Sequence, residues 1–543
     1  MKHKLLIGIL IDKYDIPAWS YTMLQKIIAS PNNEIVLIVK NKSLVEDENR
    51  GSFLYRLFSK FEKKNYKANP NALALKDSKS LLPFATKEVK PKKDSHRDII
   101  EEADIIEIKK HNVDVFVKLG FNELSGEILK IAKYGVWAFH FGNNKVNTGG
   151  PAAFWEALEF WPETEMSLQI LSEGANEEIL IKKSYSLTVD LSPTLNANNY
   201  LWKAASLLPA ELDRLHLLGE DIFFKNIEAL NAHPKFYSNK ILSTPTNKEM
   251  LSLIFKWIGS RIRYKYNSIF YFNQWILLFK LNNNNSISTS INEFIKIVPP
   301  KDRFWADPFI LQRNNKYYIF LEELYYSDKK GHISVMTMDE KGNYFMPEKV
   351  LVTNYHLSYP FLIEDNGELY MIPETKKNRT IEVYKCTQFP NIWELELVLF
   401  DNIDAVDSTI LFKDGKYWLF ANVVSNKGAS ALDELHIFYS DKLLSKNWIA
   451  HAQNPVISDV KQSRPAGKFF VHKNNLYRPS QNCSVRYGYG MKINQVIELS
   501  ETTYIEKTVD SITPDWDKNI LATHTINHVD KLTVIDASLK RRK

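Results

Sequence analysis

A hairpin pattern recurs four times in the second half of the chain, and no other feature constrains the fold as tightly. The four segments are FWADPFILQRNNKYYIFLEE from Phe304, LSYPFLIEDNGELYMIPET from Leu357, AVDSTILFKDGKYWLFAN from Ala405 and SRPAGKFFVHKNNLYRPSQN from Ser463. Each places a small or acidic residue before an apolar strand, then a polar turn, then a second strand carrying tyrosine. The turns NNK, DNG, KDGK and KNN use residues that tolerate positive φ, as tight hairpins require. The marked positions are Asp307, Tyr359, Asp407 and Arg464. Their period of roughly 50 residues is that of one four-stranded propeller blade. Five such periods fit between residue 266 and the end, with YFNQWILLFK and LTVID expected to close the fifth blade.

The first half has a different rhythm. KLLIGILI, EIVLIVK, VDVFVKLG and GVWAFHF are near-continuous apolar runs, the pattern of parallel strands covered on both faces. YTMLQKIIAS and SGEILKIAKY, with helical spacing, lie between them. The alternation predicts a doubly wound α/β sheet, followed by two antiparallel edge strands, EMSLQILSEG and EILIKKSYSL. The expected organisation is an α/β domain over 1–220, a helical connector over 221–265 and an all-β five-bladed propeller over 266–543. The connector contains two amphipathic stretches, EDIFFKNIEAL and NKEMLSLIFKWIGSRIRYKY.

Composition removes several function classes. A chain of 543 residues, 44% hydrophobic, holds more than one ordinary core. A net charge of +6 gives no case for nucleic acid. The basic run from Lys60 to Arg97 is broken by proline and acidic residues and reads as a solvated insertion. Two cysteines, Cys386 and Cys483, make neither a disulfide framework nor a metal cluster and suit a reducing compartment. At the start, LLIGILI is closed by Asp12, Lys13 and Asp15, so a buried first strand is expected rather than a signal peptide. No apolar run approaches the length of a membrane span. A cytoplasmic protein without a metal site is the expectation.

GVWAFHFGNN, NTGGPAAFWEAL and ETEMSLQILSEGANEEIL together resemble the formyltransferase family, over roughly residues 1 to 220. The resemblance implies a formyltransferase-like, Rossmann-type domain that uses 10-formyltetrahydrofolate as cofactor. It also implies transfer to an amine, here an amino sugar of a nucleotide sugar or glycan in surface-polysaccharide biosynthesis. Such chemistry needs a base for the attacking amine, an amide donor for the oxyanion and a carboxylate partner for the histidine. Mapped onto this chain, the histidine is His140, the amide position is Ala138 and the carboxylate position is Asn176. Asn143 or Asn144 are the loop amides that would replace Ala138, and Glu173 or Glu177 the carboxylates that would replace Asn176. Gly149, Gly150 and Pro151 form the loop expected to receive substrate, and equally read as a tight turn into a helix.

RFWADPF, the DST of the third repeat and YRPSQNCSVRYGYGM are similar to the five-bladed propellers of furanosidase-type glycoside hydrolases. They are similar also to the propeller region at the N-terminus of plant glucosamine inositolphosphorylceramide transferases. The hydrolase resemblance implies carboxylates on successive blades around a central funnel. Asp307, Glu374 and Asp407 are those candidates, and His524 is a further funnel residue. Arg464, Arg478, Arg486, Tyr487 and Tyr489 suit binding of a glycan or sugar nucleotide. A second reading is a protein without catalysis, whose first domain is a scaffold and whose propeller binds a glycan. A third is a glycosidase centred on Asp307 and Asp407.

Overall fold

The computed structural model describes residues 3–43, 51–94, 97–142, 150–173, 178–232, 242–282 and 287–543. The chain forms two compact units: Met1–Ile258 with Ser425–Ser430, and Gly259–Val424 with Ala431–Lys543.

The first unit is built on seven strands: β1 (Leu5–Ile11), β2 (Asn33–Asn41), β3 (Thr86–Val89), β4 (Val115–Lys118), β5 (Val136–Phe141), β6 (Glu163–Ile170) and β7 (Ile179–Leu187). They form one sheet in the order β7-β6-β5-β4-β1-β2-β3. The first five pair in parallel, and β6 and β7 add to one edge antiparallel. Among the described residues, the helices of eight residues or more are α1 (Ala18–Ala29), α2 (Phe53–Asn65), α3 (Glu102–Lys109), α4 (Pro193–Leu218), α5 (Glu220–Asn231) and α6 (Asn247–Phe270).

The apolar strand runs fill two cores because successive side chains point to opposite faces. Ile7, Ile9, Ile11, Val115, Val117 and Trp137 pack with Met23, Leu24 and Ile27 of α1 and with Leu207, Leu208 and Leu212 of α4. Their neighbours Leu10, Leu37, Val39, Phe116 and Val136 pack with Ile105 and Ile108 of α3. Both faces are covered, so the sheet is doubly wound. Gly8 is required here: a Cβ would lie 2.3 Å from the Phe116 ring.

The loop residues of this unit stand as follows. His140 is half-buried on β5 in register with Ser167. Ala138 faces Gln169 across the strand pair and is 6% exposed. Gly150 and Pro151 lead into a short helical turn, Phe154–Leu158, whose first amide donates to the Pro151 carbonyl at 3.3 Å. Asn143, Asn144, Gly149, Asn176 and Glu177 lie outside the described residues. The basic run from Lys60 to Arg97 is not a simple solvated insertion. It supplies β3, which pairs in parallel with β2, buries Val89 to 1% exposure and leaves Glu88 beside Lys40 and Lys42 at 3.0 and 2.7 Å.

The second unit is five antiparallel sheets in sequence. Blade 1 comprises Arg303–Arg313, Lys316–Tyr325, Gly331–Asp339 and Glu348–Leu351. Blade 2 comprises Ser358–Asp365, Glu368–Thr375, Thr380–Gln388 and Ile392–Asp401. Blade 3 comprises Ala405–Lys413, Lys416–Val423 and Glu434–Ser440 with the short strands Ile449–Ala450 and Ile457–Ser458. Blade 4 comprises Phe470–His472, Asn475–Asn482, Gly490–Leu499 and Tyr504–Ile512. Blade 5 joins Tyr271–Leu281 and Ile295–Ile297 to Ile520–Ala522, Ile526–Val529 and Leu532–Arg542. Its clasp is continuous, from Tyr271 opposite Arg542 to Leu281 opposite Leu532.

Candidate functional site

In blades 1 to 3 the first strand bulges at an equivalent residue. Asp307, Tyr359 and Asp407 have φ of 51°, 46° and 53°, and strand register shifts across each. Left-handed backbone in aspartate and tyrosine is strained, and such strain concentrates at functional positions. A bulge also re-aims the side chain out of the pleat. The second strand of each hairpin returns Glu322, Glu374 and Asn422, next to Ala306, Ser358 and Val406. Counting from the hairpin turn Lys473–Asn474, the equivalent bulge position in blade 4 is Ala466, not Arg464. The pattern slips because Ala466 and Gly467 follow the Arg464–Pro465 pair before the strand begins.

Arg464 still reaches the ring. Its guanidinium grips Asp407 with two nitrogens and lies 3.6 Å from Glu374. Gln481 donates to Asp407 at 2.9 Å. Each blade is stitched to another in this way. The Tyr359 amide donates to Asp307 at 3.2 Å, and the Asp307 amide donates to Asp536 of blade 5 at 2.9 Å. The Thr525 hydroxyl donates to the other Asp307 oxygen at 2.7 Å. Asp536 also accepts from the amides of His524 and Thr525 at 2.9 and 3.0 Å. His524 places Nδ1 2.7 Å from Asp536 and Nε2 3.8 Å from Asp307. Asp307, His524 and Asp536 thus bring three potential ligand atoms within 4.8 Å of one another. Internal donors already occupy these carboxylates.

The ring is rich in acid, and burial sets its protonation. Burial pushes Glu374 up to about 8, aided by the charge on Asp407. Burial likewise lifts Glu322 well above the usual carboxylate range, together with Asp307, Glu374, Asp536 and Asp407. Asp307 is raised by burial to about 6, against the pull of His524. For His524 burial acts downward, but Asp536 and Asp307 outweigh it and hold the imidazole above its ordinary value. Arg464 stays charged because Asp407 and Glu374 outweigh its burial.

Two aromatic side chains reach the surface beside the ring. Trp275, partly exposed on the first strand of blade 5, stacks on His524 with centroids 4.1 Å apart and 12° between planes. Tyr487, 41% exposed, meets His524 edge-on at 5.3 Å and Trp275 at 6.4 Å. The Arg464 guanidinium lies 5.0 Å from the Tyr487 ring centre. Aromatic faces over polar groups can hold a sugar ring by its C–H face and its substituents by hydrogen bonds.

The structure therefore brings Asp307, Glu374, Asp407, Arg464, Tyr487 and His524 together. Arg486 is exposed beside Tyr487 and, among the described residues, joins none of the ring's hydrogen bonds. Arg478 is not a ligand candidate: it is 1% exposed and forked onto Glu506 at 2.8 and 2.7 Å. Sequence reasoning missed Trp275, Glu322, Gln481, Thr525 and Asp536. A signal existed for Glu322, since FLEE and IPET place a glutamate at the same distance from their turns.

A family model described as "Glucosamine inositolphosphorylceramide transferase 1, N-terminal" matches residues 287–536. The curated Glucosamine inositolphosphorylceramide transferase 1 of Oryza sativa subsp. japonica is 33% identical over 237 residues, 42% of this chain and 32% of its own. That of Arabidopsis thaliana is 32% identical over 209 residues, 38% of this chain and 27% of its own. The chain thus spans about a third or less of the length of these relatives. Among solved structures, a family 117 glycoside hydrolase from Zobellia galactanivorans has a TM-score of 0.32 at 12% identity, covering 50% of this chain and 90% of its own. A GH43_1 enzyme from Xanthomonas citri has a TM-score of 0.31 at 13% identity, covering 39% and 76%. Likeness at that level carries no argument about chemistry.

These matches overturn the expectation of formyl transfer from 10-formyltetrahydrofolate, because the relatives carry the name of a different transferase. The site agrees with the correction. Ala138 offers only a methyl group where an oxyanion donor is needed, a loss of about 100-fold or more in rate. The likeness that is shown falls on the propeller, to the N-terminal region of glucosamine inositolphosphorylceramide transferases.

Proposed function

We propose that the propeller binds a glycan bearing an amino sugar, as the carbohydrate-recognition part of a glycoconjugate-building transferase system. The observation that carries this reading is the pairing of partly exposed aromatics, Trp275 and Tyr487, with a ring of buried carboxylates. A sugar ring lies against the aromatic edge, and its ammonium favours the ionised form of Glu374, whose proton it displaces. The relatives' name contains glucosamine, an amino sugar, which supports the choice. Internal donors fill Asp307 and Asp407, and this favours recognition over bond cleavage.

The test is calorimetry of the full chain with glucosamine-containing oligosaccharides and their N-acetylated counterparts. The free amine should bind about tenfold more tightly or better, and Tyr487→Ala should weaken it about tenfold. Equal binding of the acetylated sugar would remove the amine from the proposal. Absence of binding by either would end it.

A further inference from the structure

α6 carries an apolar stripe that nothing among the described residues covers. Leu251, Phe255 and Ile258 recur at spacings of four and three, one face of a helix. They are all exposed, Phe255 at 71% and Leu251 at 49%. The opposite edge of the first two turns is normally packed: Met250 and Leu253 join Phe154, Trp155 and Leu158 in a small core. The helix starts with a capping box, the Thr246 amide donating to Glu249 at 2.9 Å and the Glu249 amide returning to the Thr246 hydroxyl at 3.3 Å.

α2 runs beside it in the same direction. Asn247 accepts from the Leu54 amide at 2.9 Å, and Trp257 meets Phe58 and Phe61 edge-on at 6.1 and 6.5 Å. α2 presents its own exposed stripe, Phe53, Leu57 and Phe61. The charges on the pair are of one sign. Arg56, Lys60, Lys63 and Lys64 on α2 and Lys248 and Lys256 on α6 are exposed. The two acids do not offset them at the surface. Glu62 turns inward onto Ser192 and Thr194, and Glu249 is spent in the cap.

We infer that α2 and residues 247–258 of α6 dock this protein onto an anionic membrane surface. An exposed apolar stripe flanked by lysine and arginine is the arrangement that seats a helix in the headgroup boundary. The basic flank selects anionic lipid over a neutral surface. No described helix is long and apolar enough to cross a membrane, so the contact is lateral. Charge decides against a second copy of the chain as the occupant, because two such faces would repel one another.

The experiment is co-sedimentation of the full chain with vesicles of phosphatidylcholine alone or with about 30% phosphatidylserine. The unaltered chain should partition at least about tenfold better to the anionic vesicles. Leu251→Asp with Phe255→Asp should lose that binding at least about tenfold, with an unchanged circular dichroism spectrum. Lys60→Gln with Lys63→Gln and Lys256→Gln should abolish the preference for anionic lipid while sparing the fold. Failure of the unaltered chain to sediment with anionic vesicles would overturn the inference. So would binding that both variants retain. A stable dimer in solution that Phe255→Asp dissolves, without vesicle binding, would reassign the face to self-association.

Discussion

Arg464→Gln should destabilise the propeller, and the size of the loss follows from the burial of the pair. Asp407 is 1% exposed and Arg464 8%, so neither charge has water to fall back on. Removing one member of a buried ion pair typically costs 3–5 kcal/mol, most of it from the charge left alone. Here Gln481 still donates to Asp407 at 2.9 Å, which places the expectation at about 3 kcal/mol, the lower end of that range. The partner substitution makes the argument specific. With Asp407→Asn added, no uncompensated charge remains, and more than half of the loss should return as coupling energy. Urea titration followed by tryptophan fluorescence reads the total. Hydrogen exchange on peptides covering 405–413 and 475–482 separates the propeller from the α/β unit, which need not unfold with it. A loss below about 1 kcal/mol in the single variant, or no recovery in the double, would refute the reasoning.

Glu374 makes a second prediction, about pH. Its carboxyl stands at about 8 against an ordinary 4.5, so the folded state holds the proton more tightly. The stability this contributes is complete below 4.5 and is lost as pH rises through 8. Glu374→Gln should therefore raise the melting temperature by about 3 °C or more at pH 8 and leave it unchanged near pH 5; equal shifts at both would contradict the assignment. Gly467→Ala should cost about 2–4 kcal/mol, since its φ is 135° and a Cβ would stand 2.1 Å from the Ile526 carbonyl oxygen. A melting curve like that of the unaltered chain would show that the backbone there relaxes. Amino-sugar binding should strengthen between pH 6 and 8, because the ammonium favours ionised Glu374. Calorimetry in buffers of different ionisation enthalpy should detect the released proton.

Much of the architecture could be read from residue order alone, because it rests on local rules. The hairpin turns at Asn314, Asn366 and Asp414 need positive φ and announce themselves as Asn-Asn, Asn-Gly and Asp-Gly. Apolar runs such as LLIGILI state that both faces of a strand are buried. The bulged Asp307, Tyr359 and Asp407 were visible as a repeat, and YFNQWILLFK as the closing strand. What was hidden depends on distance in sequence. Asp536 meets Asp307 across 229 residues, and no local pattern marks it. Arg464 sat in the right place for the wrong reason, since the two inserted residues move the count but its long side chain restores the reach. Arg486 and Arg478 look alike as letters, yet one is exposed and the other is buried on Glu506. The formyl-transfer reading failed because a strand, a histidine and a glycine turn describe a backbone path. Chemistry needs the side chains that Ala138 does not supply. The apolar spacing of α6 was legible, but not that its outward face stays bare.

The clasp of blade 5 gives the propeller a mechanical weak direction. Tyr271 stands opposite Arg542, and the Lys543 amide donates to the Phe270 carbonyl at 3.1 Å, so the two ends of the blade wheel leave it side by side. Tension applied between them loads a single rung of the antiparallel ladder at a time, as a zipper is opened, instead of shearing all eleven pairs together. The wheel should resist heat through its many blades and yet come apart under a small pull at its seam.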